Sequence, residues 1–258
     1  MLGLGLWPGC ASTASRNKSA EVKPFRFIVV NDTHYVSPEC GPWLERVVAQ
    51  MRTHQEAQFC LHLGDVTDMG KREHFGIVRD IFKKLDLPFY VQIGNHDYVK
   101  ETDRTAYEEI FPNSLNYTFE HRGCQFVGLD TTEGTHYEKT AIADETFRWL
   151  DKQLPKLEKS KPTVVFTHFP LGENVTYRPS NAEDLLKRFL DFNLQAAFSG
   201  HFHGFTKRTF AKSTLTTNKC CALKRGNHDG TKAKGYFLCT ADEKGIHREF
   251  IEVPQGKA

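Results

Sequence analysis

The chain has 258 residues, 39% of them hydrophobic, and a formal net charge of +2. That length lets one core bury roughly three quarters of the unfolded surface. The near-balanced charge gives no argument for a nucleic-acid partner, because Lys and Arg are scattered and concentrate only briefly at 152–161 and 207–212.

The first ten residues, MLGLGLWPGC, are apolar but half the roughly 20 needed to cross a bilayer, so no transmembrane segment is expected. Residues 1–24 read as a leader or export-signal remnant followed by a small polar stretch. Cys10, after Gly9 and before Ala11 and Ser12, resembles a bacterial lipoprotein processing site and would give a lipid anchor. The reading favours an exported or periplasmic location in a bacterium over a cytoplasmic one. Seven cysteines show neither CxxC pairing nor the density of a disulfide scaffold. They are expected as buried thiols, with Cys220 and Cys221 the alternative case of a redox pair.

From residue 25 to 258 a single domain is expected, since its polar clusters span residues 32 to 203 and a boundary between them would split one site. FRFIVV opens it as a strand, followed by a helix at 43–54 with apolar residues at helical spacing. FCLHL is the next strand, then a helix at 72–85, then the strand FYVQI. Residues 116–132 break the alternation with two strand-like runs around His121, Arg122 and Gly123, which predicts a hairpin. A helix at 144–154, the strand TVVF, a helix at 182–192 and the strand AAF follow. Beyond 203 only strands and turns appear, notably KGYFLCTAD and IHREFIEVP. Strands of this mixed kind predict an α/β fold in four layers, a central two-sheet β-sandwich flanked by helices.

Five of the apolar runs stop abruptly in His, Asp and Asn: NDTH (31–34), GDVTD (64–68), GNHD (94–97), TH (167–168) and GHFH (200–203). Strand C-termini share one sheet edge, where ligands bind. Asp32 and His34, two apart in an extended segment, are expected to face the same way and chelate one ion. His201 and His203 repeat the spacing. Asp65 has two oxygens and can bridge two cations, Asn95 offers a carbonyl oxygen and His168 an imidazole. Mixed nitrogen and oxygen donors suit Mn, Fe or Zn, and two such ions can activate a shared water and clamp a phosphoryl group. His96, beside Asn95 but not needed as a ligand, is the candidate general acid, with Asp97 expected to orient its ring.

At these residues the chain resembles the calcineurin-like metallophosphoesterase family, whose motifs D-x-H, G-D, G-N-H-D/E, H and G-H-x-H occur here in that order across residues 25 to 205. The resemblance implies the two-sheet sandwich and a ligand assignment: Asp32, His34, Asp65 and His203 on one ion, Asp65, Asn95, His168 and His201 on the other. Within the family it is similar to bacterial class III cyclic nucleotide phosphodiesterases. It departs from purple acid phosphatases, which carry a Tyr three residues after the bridging Asp and lack the His of D-x-H; here Asp68 and His34 stand at those positions.

The expected activity is hydrolysis of a small phosphodiester or phosphomonoester, such as a cyclic nucleotide, by a metal-bridging hydroxide with His96 as general acid. The alternatives are a metal-binding scaffold without catalysis, against which His96 and Asp97 weigh, and a nuclease, against which the missing basic groove weighs. Asp68 reads as a helix cap or support for a ligand. His54 and His74 read as surface residues of helices. A second GNHD at 226–229 reads as a turn, with Asn227 and His228 as candidate substrate contacts at the pocket rim. His136, in the loop 133–139, is a further candidate.

Overall fold

Strands and helices alternate because short β-branched runs are separated by amphipathic segments. The computed structural model describes residues 22–255, so the leader through residue 21 and Cys10 lie outside it. The first half runs β1 (Phe25–Val30), α1 (Cys40–Met51), β2 (Ala57–His62), α2 (Arg72–Lys83), β3 (Phe89–Val91) and α3 (Thr105–Ile110). A hairpin of β4 (Tyr117–His121) and β5 (Cys124–Leu129) precedes α4 (Asp144–Gln153), β6 (Thr163–Thr167), α5 (Ala182–Lys187) and β7 (Leu194–Ser199). The chain ends in β8 (Thr206–Phe210), β9 (Ser213–Thr217), β10 (Gly235–Asp242) and β11 (Gly245–Glu252).

Two mixed sheets result, ordered β11-β10-β1-β2-β3 and β4-β5-β6-β7-β9-β8. The period of two along each strand divides the core into layers. Phe27, Val29, Phe59, Leu61, Phe126, Phe166 and Phe198 meet between the sheets. Their neighbours Ile28, Val30 and Cys60 turn outward onto Trp43 and Val47 of α1 and Phe75, Val78 and Phe82 of α2. On the other side Val127, Val165 and Ala197 pack against Leu185 and Leu186 of α5 and Leu150 of α4. Each fully buried Phe or Leu stabilises this sandwich by about 1.5–3 kcal/mol relative to an exposed one. The four-layer architecture is the one expected, and β1-β2-β3 and β5-β6-β7 are parallel, so their C-terminal ends open on one side.

Three local readings are revised, and the expectation of buried thiols holds. The helix at 182–192 ends at Lys187, after which Arg188, Phe189 and Leu190 bond three residues back, a tighter winding that keeps Phe189 in the core. The helix at 43–54 ends at Met51, and His54 beyond it bonds the hydroxyl of Tyr236 at 2.9 Å. His74 is buried, its ring centre 5.2 Å from that of Tyr35. The six cysteines among the described residues are all buried and free, and Cys220 Sγ accepts from Lys234 Nζ at 2.8 Å.

Candidate metal centre

The loops leaving β1, β2, β3, β6 and β7 bring their polar residues to one place. Asp32, His34, Asp65 and His203 have donor atoms within 4.8 Å of one another, as do Asp65, His168 and His201, so the two groups share Asp65. Asn95 adds its Oδ1, 3.1 Å from His168 Nε2. All seven side chains are buried.

The local geometry differs from an extended D-x-H. Asp32 (φ 51), His34 (φ 42), Asp65 (φ 52), His201 (φ 64) and His203 (φ 47) all occupy the left-handed region. For residues other than glycine this costs about 1–2 kcal/mol each. The segment is held there because Asp32, His34 and Tyr35 donate their amides to the carbonyls of Gly64, Asp65 and Val66, lacing the loop after β1 to the loop after β2. Asp32 and His34 thus converge through backbone reversals rather than strand alternation. Such strain persists where surrounding contacts over-determine it, and here it is concentrated on the candidate ligands.

The imidazoles are oriented by their outer nitrogens. His168 Nδ1 donates to the Leu63 carbonyl at 2.8 Å, His201 Nε2 to the Tyr137 carbonyl at 2.8 Å, and His203 Nδ1 to the Gly226 carbonyl at 3.2 Å. His34 Nδ1 donates to Asp68 Oδ1 at 3.0 Å. A carbonyl or carboxylate oxygen can only accept, so each ring carries a proton on its outer nitrogen and leaves the inner one to face a cation, the usual arrangement behind a metal-bound histidine. His34 Nε2 and His203 Nε2 then oppose each other at 3.0 Å, and Asp32 Oδ1 lies 3.3 Å from the latter. Two imidazole nitrogens and a carboxylate so placed call for a cation between them, and this donor set fits a pair of transition-metal ions.

The electrostatics agree. Burial alone would raise Asp32 and Asp65, but His203 and His168 beside Asp32, and His168 and His34 beside Asp65, hold both below the usual carboxylate range. Burial lowers His168, yet Asp65 and Asp32 outweigh it and lift the group to about 9. His203 is likewise raised against burial by Asp32. His34 is lowered by burial, which outweighs Asp65, and His201 falls to about 3 through burial and then His168. The site favours positive charge at its carboxylates while keeping two imidazoles neutral.

Asp97 does not orient His96. Its carboxylate accepts from the amides of Gly94 (2.9 Å), Thr67 (2.9 Å) and Val66 (3.2 Å), tying the loop after β3 to the loop after β2. Burial, and then repulsion from Asp65, pushes it up to about 7. The partner of His96 is Asp68, whose Oδ1 lies 3.4 Å from His96 Nδ1 while also accepting from His34 and from Arg225. Asp68 is therefore a support for a candidate ligand, and the N-cap position of α2 falls to Lys71, whose side chain makes no cap bond. Asp97→Asn would face an amide NH₂ toward backbone donors and is expected to lower stability by about 1–3 kcal/mol. Thermal denaturation checks this, and an unshifted pH profile would accompany a bracing role.

The rim candidates divide. Asn227 spends its amide on its own loop, accepting from the Cys220 amide at 3.0 Å and donating to the Ala233 carbonyl at 2.7 Å, so it is not free for a substrate. His228 does approach the centre, its ring 5.3 Å from that of His203. His136 stays in solvent, its side chain 70% exposed and 3.9 Å from Glu133. Its loop reaches the site through the Tyr137 carbonyl. Arg225 carried no motif; only folding brings its Nη2 to 3.4 Å from His96 Nδ1.

A family model described as calcineurin-like phosphoesterase matches residues 25–205. The chain belongs to that family. Among curated relatives of this calcineurin-like phosphoesterase, the probable glycerophosphodiester phosphodiesterase GpdQ of Arcobacter nitrofigilis is 34% identical over 167 residues, covering 60% of this chain and 59% of the relative. The glycerophosphodiester phosphodiesterase GpdQ of Enterobacter lignolyticus is 27% identical over 173 residues, with the same two shares. The chain thus spans about three fifths of the length of the curated relatives it matches. A purple acid phosphatase of yellow lupin, PPD1, superposes with a TM-score of 0.68 at 12% identity, over 93% of this calcineurin-like phosphoesterase and 53% of the lupin chain. At that identity the likeness is one of fold.

Proposed function

We propose that the chain is a phosphoester hydrolase working with two transition-metal ions, Mn, Fe or Zn, and that its substrate is a small phosphodiester. The observation that carries the reading is the convergence of four imidazoles, each with its outer nitrogen pinned and its inner nitrogen turned toward Asp32 or the shared Asp65. Both GpdQ relatives are named for diester cleavage, which supports a diester over a monoester. Asp32, His34, Asp65 and His203 would hold one ion, and Asp65, Asn95, His168 and His201 the other. Bound there, the ions supply a water of lowered pKa as nucleophile and Lewis-acid stabilisation of the phosphoryl oxygens.

The rest falls to the chain itself. His96 is only part-buried, and its backbone amide donates to Asp65 Oδ1 at 2.9 Å, which fixes the residue beside the shared carboxylate. Its ring centre lies 4.9 Å from that of His34. With Nδ1 facing Asp68, Nε2 is the ring nitrogen left to deliver a proton to the departing alkoxide. Arg225, in turn, holds Asp68 in place.

With Mn-loaded protein and bis(p-nitrophenyl) phosphate, His96→Ala is expected to lower kcat by about 10²–10⁴ while metal content stays at the wild-type level. Unchanged turnover in the variant would remove His96 from the mechanism. Undetectable hydrolysis by wild-type protein carrying both ions would instead favour a scaffold.

A further inference from the structure

A row of rings beside the ligand imidazoles takes no part in the chemistry above. Tyr177 has its ring centre 5.2 Å from that of His201, 5.9 Å from that of His228 and 6.2 Å from that of Tyr137. Through His228 the row also touches His203. It therefore starts at imidazoles assigned to both ions and runs outward to Tyr137, which is 55% exposed.

The rings are held rather than loose. The Tyr137 carbonyl is the acceptor for His201 Nε2. Ser180 donates its amide to the Thr140 carbonyl at 2.9 Å, joining the loop that carries Tyr177 to the loop that carries Tyr137. Tyr177 itself sits at φ 67, a costly conformation for a bulky residue. Its three ring contacts are all edge-on, with interplanar angles of 65°, 75° and 66°, so none of these rings lies flat upon it. An aromatic face beside a phosphate-binding centre is suited to stacking a flat group.

We propose that Tyr177, flanked by Tyr137 and His228, forms a subsite for a flat aromatic substituent of the phosphoester, a nucleobase or an aryl group. The inference rests on the phosphoesterase reading for its phosphate anchor. The row is too short to follow a polymer and offers one stacking position next to the scissile bond. It makes Tyr177 a specificity residue that touches the substituent and not the reacting atoms.

Calorimetric titration of the Mn-loaded full chain tests this with two matched pairs of non-hydrolysable probes. One pair is the phosphonate analogues of adenosine monophosphate and of ribose phosphate; the other is phenylphosphonate and methylphosphonate. The ring-bearing member of at least one pair is expected to bind roughly ten-fold tighter, and the pair that shows the gap identifies the substituent. Tyr177→Ala is expected to erase the gap and Tyr177→Phe to keep it, with metal content and binding of the ringless probes unchanged. Equal binding within both pairs, or a gap that survives Tyr177→Ala, overturns the proposal. Should that variant fail to fold, the exposed Tyr137→Ala is expected to narrow the gap, and an undiminished gap overturns it equally. Absent turnover with the gap intact would defeat the hydrolase reading and leave the subsite standing.

Discussion

Asp65→Asn is expected to lower turnover by about three orders of magnitude and to leave the protein holding fewer than two ions. The carboxylate faces both donor groups at once: Oδ2 lies 3.4 Å from His34 Nε2, and Oδ1 lies 3.4 Å from His168 Nε2. An asparagine keeps one oxygen, turns an NH₂ toward the other group and removes a negative charge from between the imidazoles. It can serve one ion and cannot join two. Elemental analysis of the purified variant beside its kcat checks both parts. Two ions and full activity together would show that Asp65 does not bridge.

Gly94→Ala is expected to cost about 10²-fold in kcat without removing a donor atom. A Cβ at Gly94 would lie 2.2 Å from Asp65 Oδ1 and 2.3 Å from the Asp65 amide nitrogen. No such contact survives, so either the carboxylate or the loop after β3 must move, and that loop also carries Asn95, His96 and the Asp97 brace. Overpacking of this kind costs about 1–3 kcal/mol in stability as well. The chain contains its own control. Gly226 opens the second copy of the same tetrapeptide, and nothing among the described residues lies within 4 Å of a Cβ there. Gly226→Ala is expected to keep near wild-type activity; equal losses at the two glycines would refute the steric account.

Much of the architecture was legible in the residues. Short runs such as FRFIVV and TVVF read as buried strands, and the apolar spacing of Phe75, Val78 and Phe82 read as a helix facing a sheet. Both are properties of a few neighbouring residues. Roles that depend on how one loop meets another were not legible in this way. Asp97 follows His96 directly, and adjacency suggested a pair; the fold turns its carboxylate to the amides of Val66 and Thr67 instead. Asp68, from a different loop, takes that place, and Arg225 reaches it across 157 positions. No local pattern encodes such a meeting.

The same limit applies to the backbone. Alternation is the simplest way to align two side chains, and it predicts an extended pair for Asp32 and His34. Their left-handed conformations are imposed by hydrogen bonds to residues 64–66, so tertiary contacts decided them.

By itself the sequence determined which residue types stand at the strand ends and in what order, and hence the family and the donor chemistry. Tertiary structure alone decided which of those residues meet. The two GNHD tetrapeptides make the point: one follows β3 against Asp65, while the other lies in a loop where its Asn227 bonds only its own surroundings. Side-chain chemistry is carried by each residue wherever it stands, whereas a site exists only where the sheet edge brings distant residues within bonding distance.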